Sequence, residues 1–156
     1  MKNTLDHVIT EEEAIQQLEV FVGKWQTDGE ILSPEGNQLI SGTDTYEWLP
    51  GNHFLLHHVD VVMGKQKVKS VEIIGFDSGN QCFFMESYDN DGNKVSMIAI
   101  QNNGIWNFLG KDARFSGEAC DDGNAFSGLW EKLNEDGHWV PWMEIKLTKQ
   151  LLKEEN

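Results

Sequence analysis

The sequence predicts an all-β fold, an antiparallel up-and-down β-barrel of about ten strands with a short N-terminal helix capping one end. Polar clusters rich in Gly, Asn and Asp, which suit tight turns, recur along the chain at 34–37, 50–52, 63–65, 77–80, 91–93, 102–104, 110–112, 121–124 and 136–137. The segments between them are too short to contain a crossover helix, so successive strands should pair antiparallel. Closure into a barrel would remove the two exposed edges of an open sheet. A two-sheet sandwich is the alternative architecture.

The first predicted element is a helix over about residues 10–22. Thr10 followed by Glu13 is the pattern of a capping box, which satisfies the free N–H groups at a helix start. The apolar residues that follow lie on one stripe at helical spacing: Ala14, Ile15, Leu18, Phe21 and Val22. A single amphipathic helix ahead of a barrel would cover one end of it.

The remaining strands, over about residues 23–150, show alternation that assigns an inward face. In the first strand the inward set is Trp25, Thr27, Gly29 and Ile31. In the second strand it is Asp44, Tyr46 and Trp48, and in the last strand it is Met143, Ile145 and Leu147. For residues 53–63 both faces contain large apolar side chains. The slightly more apolar face there would turn His53 and His57 inward, and the alternation alone leaves this assignment open.

Length and charge limit the classes of function. A chain of 156 residues fits a single domain, 1–156. Lys and Arg number 12 and Asp and Glu 26, a net charge of −14, which would repel nucleic acids and anionic membranes. No secretory signal and no membrane-spanning apolar run is visible. Cys82 and Cys120 form no disulfide framework, which indicates a reducing, cytoplasmic location.

Several segments carry a resemblance to a known superfamily. The sequence Phe21-Val22-Gly23-Lys24-Trp25 contains the G-x-W pattern that, in calycins (the lipocalins and fatty-acid-binding proteins), places the Trp at the closed end of the barrel. Further matching segments lie at 43–51, 54–57, 74–77, 114–117 and 147–149. Over about residues 15–149 the chain resembles an uncharacterised bacterial family of calycin-like domains of unknown function. The resemblance implies a barrel with a central cavity and assigns no reaction.

Nitrobindin, a haem-binding calycin, is a more distant comparison. Its signature has a G-x-W-x-G-x-G pattern, whereas Trp25 is followed here by Gln26-Thr27-Asp28-Gly29. In nitrobindin the haem histidine lies on a strand near the C-terminus. The only late histidine here, His138, lies in or beside a turn. No cofactor is therefore expected, and a haem- or metal-binding calycin using cavity histidines is kept as an alternative.

Seven residues are candidates for ligand binding. The set comprises Trp25, Tyr46, Trp48, His53, His57, Glu86 and Arg114. Tyr46 and Trp48 combine aromatic surface with a hydrogen-bonding tip, the usual composition of a small-molecule pocket. Arg114 is the chain's only arginine, and it should pair with Glu86 or Glu144, or bind a ligand carboxylate as in fatty-acid-binding proteins. Ordinary barrel core and a surface ion pair are the alternatives.

A metal site is not expected. His58 and Asp60 are two residues apart on one strand face and would need a third ligand from a neighbouring strand. The run Asp89-Asn90-Asp91-Gly92-Asn93 lacks the later residues of a calcium loop, and a hairpin turn explains it.

The sequence is compatible with three candidate functions. The first is binding of a small hydrophobic or amphipathic molecule in the barrel cavity. The second is a small enzyme in which a cavity histidine acts with Glu86 or Asp44 as general base, which requires a desolvated His–carboxylate pair. The third is a structural domain that forms a homodimer through exposed aromatics such as Trp139 or Trp142. No catalytic signature decides among them.

Overall fold

The computed structural model describes residues 8–151, so the ends of the predicted single domain, 1–7 and 152–156, lie outside the described residues. A helix, α1, spans Glu11–Leu18 and continues into a 3₁₀ turn at Glu19–Phe21. The predicted capping box is present: Glu13 N–H donates to the Thr10 hydroxyl at 3.1 Å, and Thr10 N–H donates to the Glu13 carboxylate at 3.2 Å. The helix predicted over about 10–22 is therefore confirmed, with Thr10 as its cap.

Ten strands follow the helix. Their bounds are β1 Gly23–Ile31, β2 Gln38–Trp48, β3 Leu55–Met63, β4 Gln66–Asp77, β5 Cys82–Asp89, β6 Lys94–Asn102, β7 Ile105–Leu109, β8 Ala113–Cys120, β9 Ala125–Leu133 and β10 Trp139–Lys149. All nine connections between them contain one of the predicted turn clusters. The β3–β4 hairpin shows why: Gly64 adopts a φ of +64°, a conformation that a side chain disfavours.

Every strand pairs antiparallel with its neighbours in the chain, and β1 closes the sheet by pairing with β10. In that closing pair Trp25 lies opposite Lys149 and Ile31 lies opposite Met143. The all-β up-and-down barrel predicted from the sequence is thus confirmed, and the sandwich alternative was wrong. Among residues 8–151, every strand has a partner on both sides, whereas a sandwich would have kept free sheet edges.

The connections between strands alternate between the two ends of the barrel, and the helix segment lies at one of these ends. At the end where β1 begins, Phe21 packs inside the barrel against the rings of Tyr46, Trp106 and Phe126. Ile9 N–H donates to the Gln81 side chain in the β4–β5 connection at 2.8 Å, which fastens the chain ahead of α1 across this end. The helix segment therefore covers this end of the barrel.

Candidate functional site

The interior holds a cavity of about 740 Å³. This volume lies within the range of about 300–1,000 Å³ that is typical of small-molecule sites. Most of its wall is apolar and aromatic, with Phe21 at the closed end and Met85, Phe108, Phe115, Phe126 and Trp130 around it. Met63, Lys111 and Trp142, which lie at or near the connections of the opposite end, also line the cavity. The cavity therefore runs from the helix-closed end to a mouth among these connections.

One wall of the cavity carries a row of polar side chains, set by strand register. Tyr46 of β2 lies opposite His57 of β3, His57 lies opposite Glu72 of β4, and Glu72 lies opposite Ser87 of β5. Side chains opposite one another across an antiparallel pair share a face, so all four point into the cavity that they line. Asp44, two residues before Tyr46 on β2, lies on the same face.

Three of these residues form a buried ionic group, which we call the Asp44–His57–Glu72 cluster. His57 Nε2 lies 2.6 Å from an Asp44 carboxylate oxygen, and His57 Nδ1 lies 2.9 Å from a Glu72 carboxylate oxygen. The side chains are only 11–13% exposed. The Thr27 hydroxyl of β1 donates to the second Asp44 oxygen. Both imidazole nitrogens are thus engaged by carboxylates.

The surroundings of His57 determine its charge. Burial by itself lowers the pKa of His57, but the hydrogen bonds and negative charges of Asp44 and Glu72 outweigh burial and raise the pKa to about 9. His57 is therefore an imidazolium at neutral pH, and both of its nitrogens donate. Two carboxylates against one imidazolium leave one net negative charge in the cluster.

Two polar atoms on this wall, one of them in the cluster, are open to the cavity. The Tyr46 ring stacks on the His57 ring with centroids 3.9 Å apart and planes 10° from parallel. Burial and the nearby carboxylates of Asp44 and Glu72 raise the pKa of Tyr46, so it stays a neutral phenol. Within residues 8–151, no hydrogen bond engages the Tyr46 hydroxyl or the second Glu72 oxygen, and neither atom is sealed from the cavity. The site therefore offers one carboxylate acceptor and one phenol.

Of the seven predicted site residues, Tyr46 and His57 line the cavity. Trp25 instead lies buried at the closed end, where its indole N–H donates to the Phe21 carbonyl at 2.8 Å. Trp48 is half-buried, and its indole N–H donates to the Glu19 carboxylate at 2.9 Å. Both indoles thus join the first strands to the helix segment and lie outside the cavity lining.

The expectation that His53 shares the inward face of His57 was wrong. The strand begins at Leu55, so His53 lies in the preceding connection, where alternation does not apply. Its side chain is 57% exposed and lies 2.8 Å from a Glu11 carboxylate oxygen. From Leu55 onward the odd-numbered face points inward, with Leu55, His57 and Val61 buried, which resolves the face that the sequence left open.

Arg114 and Glu86 also lie outside the cavity lining. Arg114 Nε donates to Glu131 at 2.8 Å, and its guanidinium lies 4.4 Å from the Trp139 ring centre. The predicted partners Glu86 and Glu144 were wrong because the register places Arg114 directly opposite Glu131. Glu86 lies on the outward face of β5, 3.8 Å from Lys94 Nζ. The outer-surface ion pair was thus the better interpretation of Arg114.

The residues considered for a metal site and for a dimer surface lie at separate places on the barrel. His58 lies on the outer face, 3.8 Å from Glu47, and Asp60 is also exposed. In residues 8–151 no three His, Cys, Asp or Glu side chains are grouped to hold a metal ion. Trp139 and Trp142 are half-buried, the former beneath Arg114 and the latter at the cavity.

Glu72 is the site residue that sequence reasoning missed. It shares strand parity with Ile74, which is buried, so the alternation in β4 carried a signal for an inward carboxylate. Asp44 was predicted to face inward, and it does. The desolvated His–carboxylate pair required by the enzyme hypothesis exists between His57 and Asp44, and Glu86 takes no part in it.

Comparison with known proteins gives a family and a fold. The structure titled "Crystal Structure of Rv2717c from M. tuberculosis" aligns with a TM-score of 0.68 at 13% identity, covering 88% of this chain and 98% of that one. A structure described as a de novo design of a fluorescence-activating beta barrel aligns with a TM-score of 0.47 at 13% identity, covering 85% of this chain and 95% of that one. At 13% identity the first of these likenesses concerns the fold alone. No curated protein matches the chain.

Within the described residues, no helix has the length and apolar character needed to span a membrane. The model of the family described as "Protein of unknown function (DUF1579)" matches residues 10–121. Since that match covers more than half of the chain, the protein belongs to the DUF1579 family.

Proposed function

We propose that the protein binds one small amphipathic molecule inside the barrel, with its apolar part against the aromatic wall and its polar group against the Asp44–His57–Glu72 cluster. The observation that carries the proposal is the cavity of about 740 Å³, mostly apolar in its lining, with that buried ionic cluster on one wall. Burial of ligand surface would contribute about 25 cal/mol per Å², and the cluster would fix the orientation. We also propose that the barrel is related to the calycins and that the protein is located in the cytoplasm.

Accessible apolar side chains inside the barrel support this proposal. Val59, Met97 and Ile145 line the cavity but are only half-buried, whereas Leu18 and Leu55 near the closed end are fully buried. A barrel filled by its own side chains would bury both groups alike. Unfilled apolar surface of this kind is typical of a binding site.

Catalysis is the second candidate, favoured by the buried His57–Asp44 pair. A general base must have a nitrogen free to accept a proton. Both His57 nitrogens already face carboxylates, and its pKa of about 9 keeps it protonated at neutral pH. Binding therefore agrees with the geometry better than base catalysis does.

Titration with Nile red, a neutral dye that fluoresces in apolar surroundings, tests the proposal. Val59→Trp would place a large side chain in the cavity, and Asp60→Trp is the matched control because Asp60 is the next residue on the same strand and faces outward. We expect one dye per chain, an affinity about tenfold or more weaker in Val59→Trp, and no change in Asp60→Trp. Circular dichroism would check that both variants keep the barrel.

Native mass spectrometry of the purified protein would show whether a small molecule accompanies it. Equal dye binding by both variants would place the dye on the outer surface and contradict the proposal. Failure of the wild-type protein to bind the dye, together with no small molecule retained in native mass spectrometry, would contradict it as well.

A further inference from the structure

The deep part of the cavity has an unbalanced charge. The Asp44–His57–Glu72 cluster carries one net negative charge, and its side chains are 11–13% exposed. A buried charge is costly unless a partner of opposite sign or several hydrogen bonds stabilise it. The Thr27 hydroxyl supplies one hydrogen bond to Asp44, whereas the second oxygen of Glu72 receives none from residues 8–151.

The other charged residues of the cavity lining do not neutralise the cluster. Lys94 lies at the mouth beside Glu86, 3.8 Å away, and its ammonium lies over the Tyr88 ring. Lys111 lies in the β7–β8 connection at the mouth, next to Asp112. The arginine that was expected to receive a ligand carboxylate, Arg114, pairs with Glu131 on the outside. Within residues 8–151, no lysine or arginine side chain therefore pairs with the cluster.

We propose that the ligand of this cavity is an amphipathic amine whose protonated nitrogen donates to the free Glu72 oxygen beside Tyr46, with its alkyl or aryl part directed toward the mouth. The proposal rests on the proposed function, ligand binding in the cavity, and specifies the chemical class. An ammonium group supplies both the missing positive charge and the missing donors. A ligand carboxylate at the same position would place a second negative charge beside Glu72.

The local geometry suits such a group. The Tyr46 ring is held in place by stacking on His57, and its hydroxyl adds a further hydrogen-bonding group to the same wall of the cavity. From His57 the inward face of β3 continues through Val59 and Val61 to Met63 near the mouth. Six residues of strand extend about 20 Å, which gives an apolar chain room to lie along the wall.

Competition against Nile red with probes that differ only in the head group tests the inference. The probes are dodecylamine, dodecanol and dodecanoate, used below the critical micelle concentrations of the two ionic probes and the solubility limit of dodecanol, at neutral pH, where an alkylamine is charged. A charge-assisted hydrogen bond changes affinity by about 10- to 100-fold. We expect dodecylamine to compete about tenfold or more better than dodecanol, and dodecanoate to compete least.

The variant Glu72→Gln tests whether Glu72 causes the preference for dodecylamine. The amide keeps the shape of the side chain and removes its charge, so dodecylamine should bind about 10- to 100-fold more weakly, dodecanol should lose less, and the preference for dodecylamine should disappear. Glu86→Gln is the matched control, because it makes the same chemical change on the outward face of the neighbouring strand β5. It should alter neither affinity.

The outcomes separate this inference from the function on which it rests. If dodecanol or dodecanoate competes as well as dodecylamine, the cavity binds ligands but the inferred class is wrong. A dodecylamine preference that persists in Glu72→Gln would also contradict the assignment. Should Glu72→Gln fail to fold, the wild-type probe series still decides the ligand class, since it depends on no variant.

Discussion

The charged state of His57 should make the stability of the barrel depend on pH in an identifiable way. The pKa of His57 rises from 6.5 to about 9 on folding, since the bonds and charges of Asp44 and Glu72 outweigh burial. A group whose pKa is raised by folding stabilises the native state most fully below its unfolded pKa. That stabilisation is then lost as the pH rises through its folded value.

The size of the effect follows from the shift. From 6.5 to about 9 is roughly 2.5 pKa units, and each unit corresponds to 1.36 kcal/mol, which gives about 3 kcal/mol. The conversion applies because the His57 side chain is only 11% exposed. We therefore expect about 3 kcal/mol of unfolding free energy to disappear between about pH 6 and pH 10.

Urea unfolding at several pH values, followed by circular dichroism, would measure this loss. Other groups also titrate in this window, so the quantity to compare is the difference between the wild-type protein and His57→Gln at each pH. That difference should be about 3 kcal/mol larger near pH 6 than near pH 10. The matched control is His53→Gln, because His53 is 57% exposed and its pairing with Glu11 lies on the surface.

A difference between wild type and His57→Gln that stays constant across the pH range would refute the reasoning. It would mean that folding leaves the pKa of His57 unchanged. Direct titration of the His57 ring by NMR would then give a value near the ordinary one instead of about 9.

Two further predictions concern the barrel wall and its outer surface. Gly128→Ala should destabilise the fold by about 1–3 kcal/mol in urea unfolding, because a Cβ there would lie 2.4 Å from both the Phe115 ring and the Ser116 carbonyl oxygen. A loss below about 0.5 kcal/mol would show that the ring moves aside easily. Arg114→Ala should cost about 1 kcal/mol or less and leave Nile red affinity unchanged, since its pairing with Glu131 is on the outside. A strong fall in affinity would contradict that placement.

Local signals sufficed for the strand count and the inward faces of several strands. Turn chemistry identified each connection, as with Gly64, whose positive φ a glycine accommodates without strain. Alternation in β1 and β10 correctly turned Trp25 and Leu147 inward. These signals depend on neighbouring residues in the chain and on their exposure to water, so they can be recognised without the tertiary structure.

The partners across strands could not be predicted in the same way. The Arg114 partner was mistaken, and Glu72 was missed as a partner of His57, although both carboxylates lie on strands adjacent to the residue that they contact. Each cross-strand pair contributes only about 0.2–1 kcal/mol, so no single pair reveals the register. The inward placement of His53 was also wrong, because the alternation of faces holds only within the strand that begins at Leu55.

The sequence by itself determined that this chain forms hairpin-linked strands behind a capped helix, with a largely aromatic interior, because turn residues and alternation act locally. Only the tertiary structure decided that Asp44, His57 and Glu72 meet on one wall of a cavity, leaving a negative charge with a free oxygen. Their meeting depends on the register of β2, β3 and β4, which is fixed when all ten strands close into the barrel.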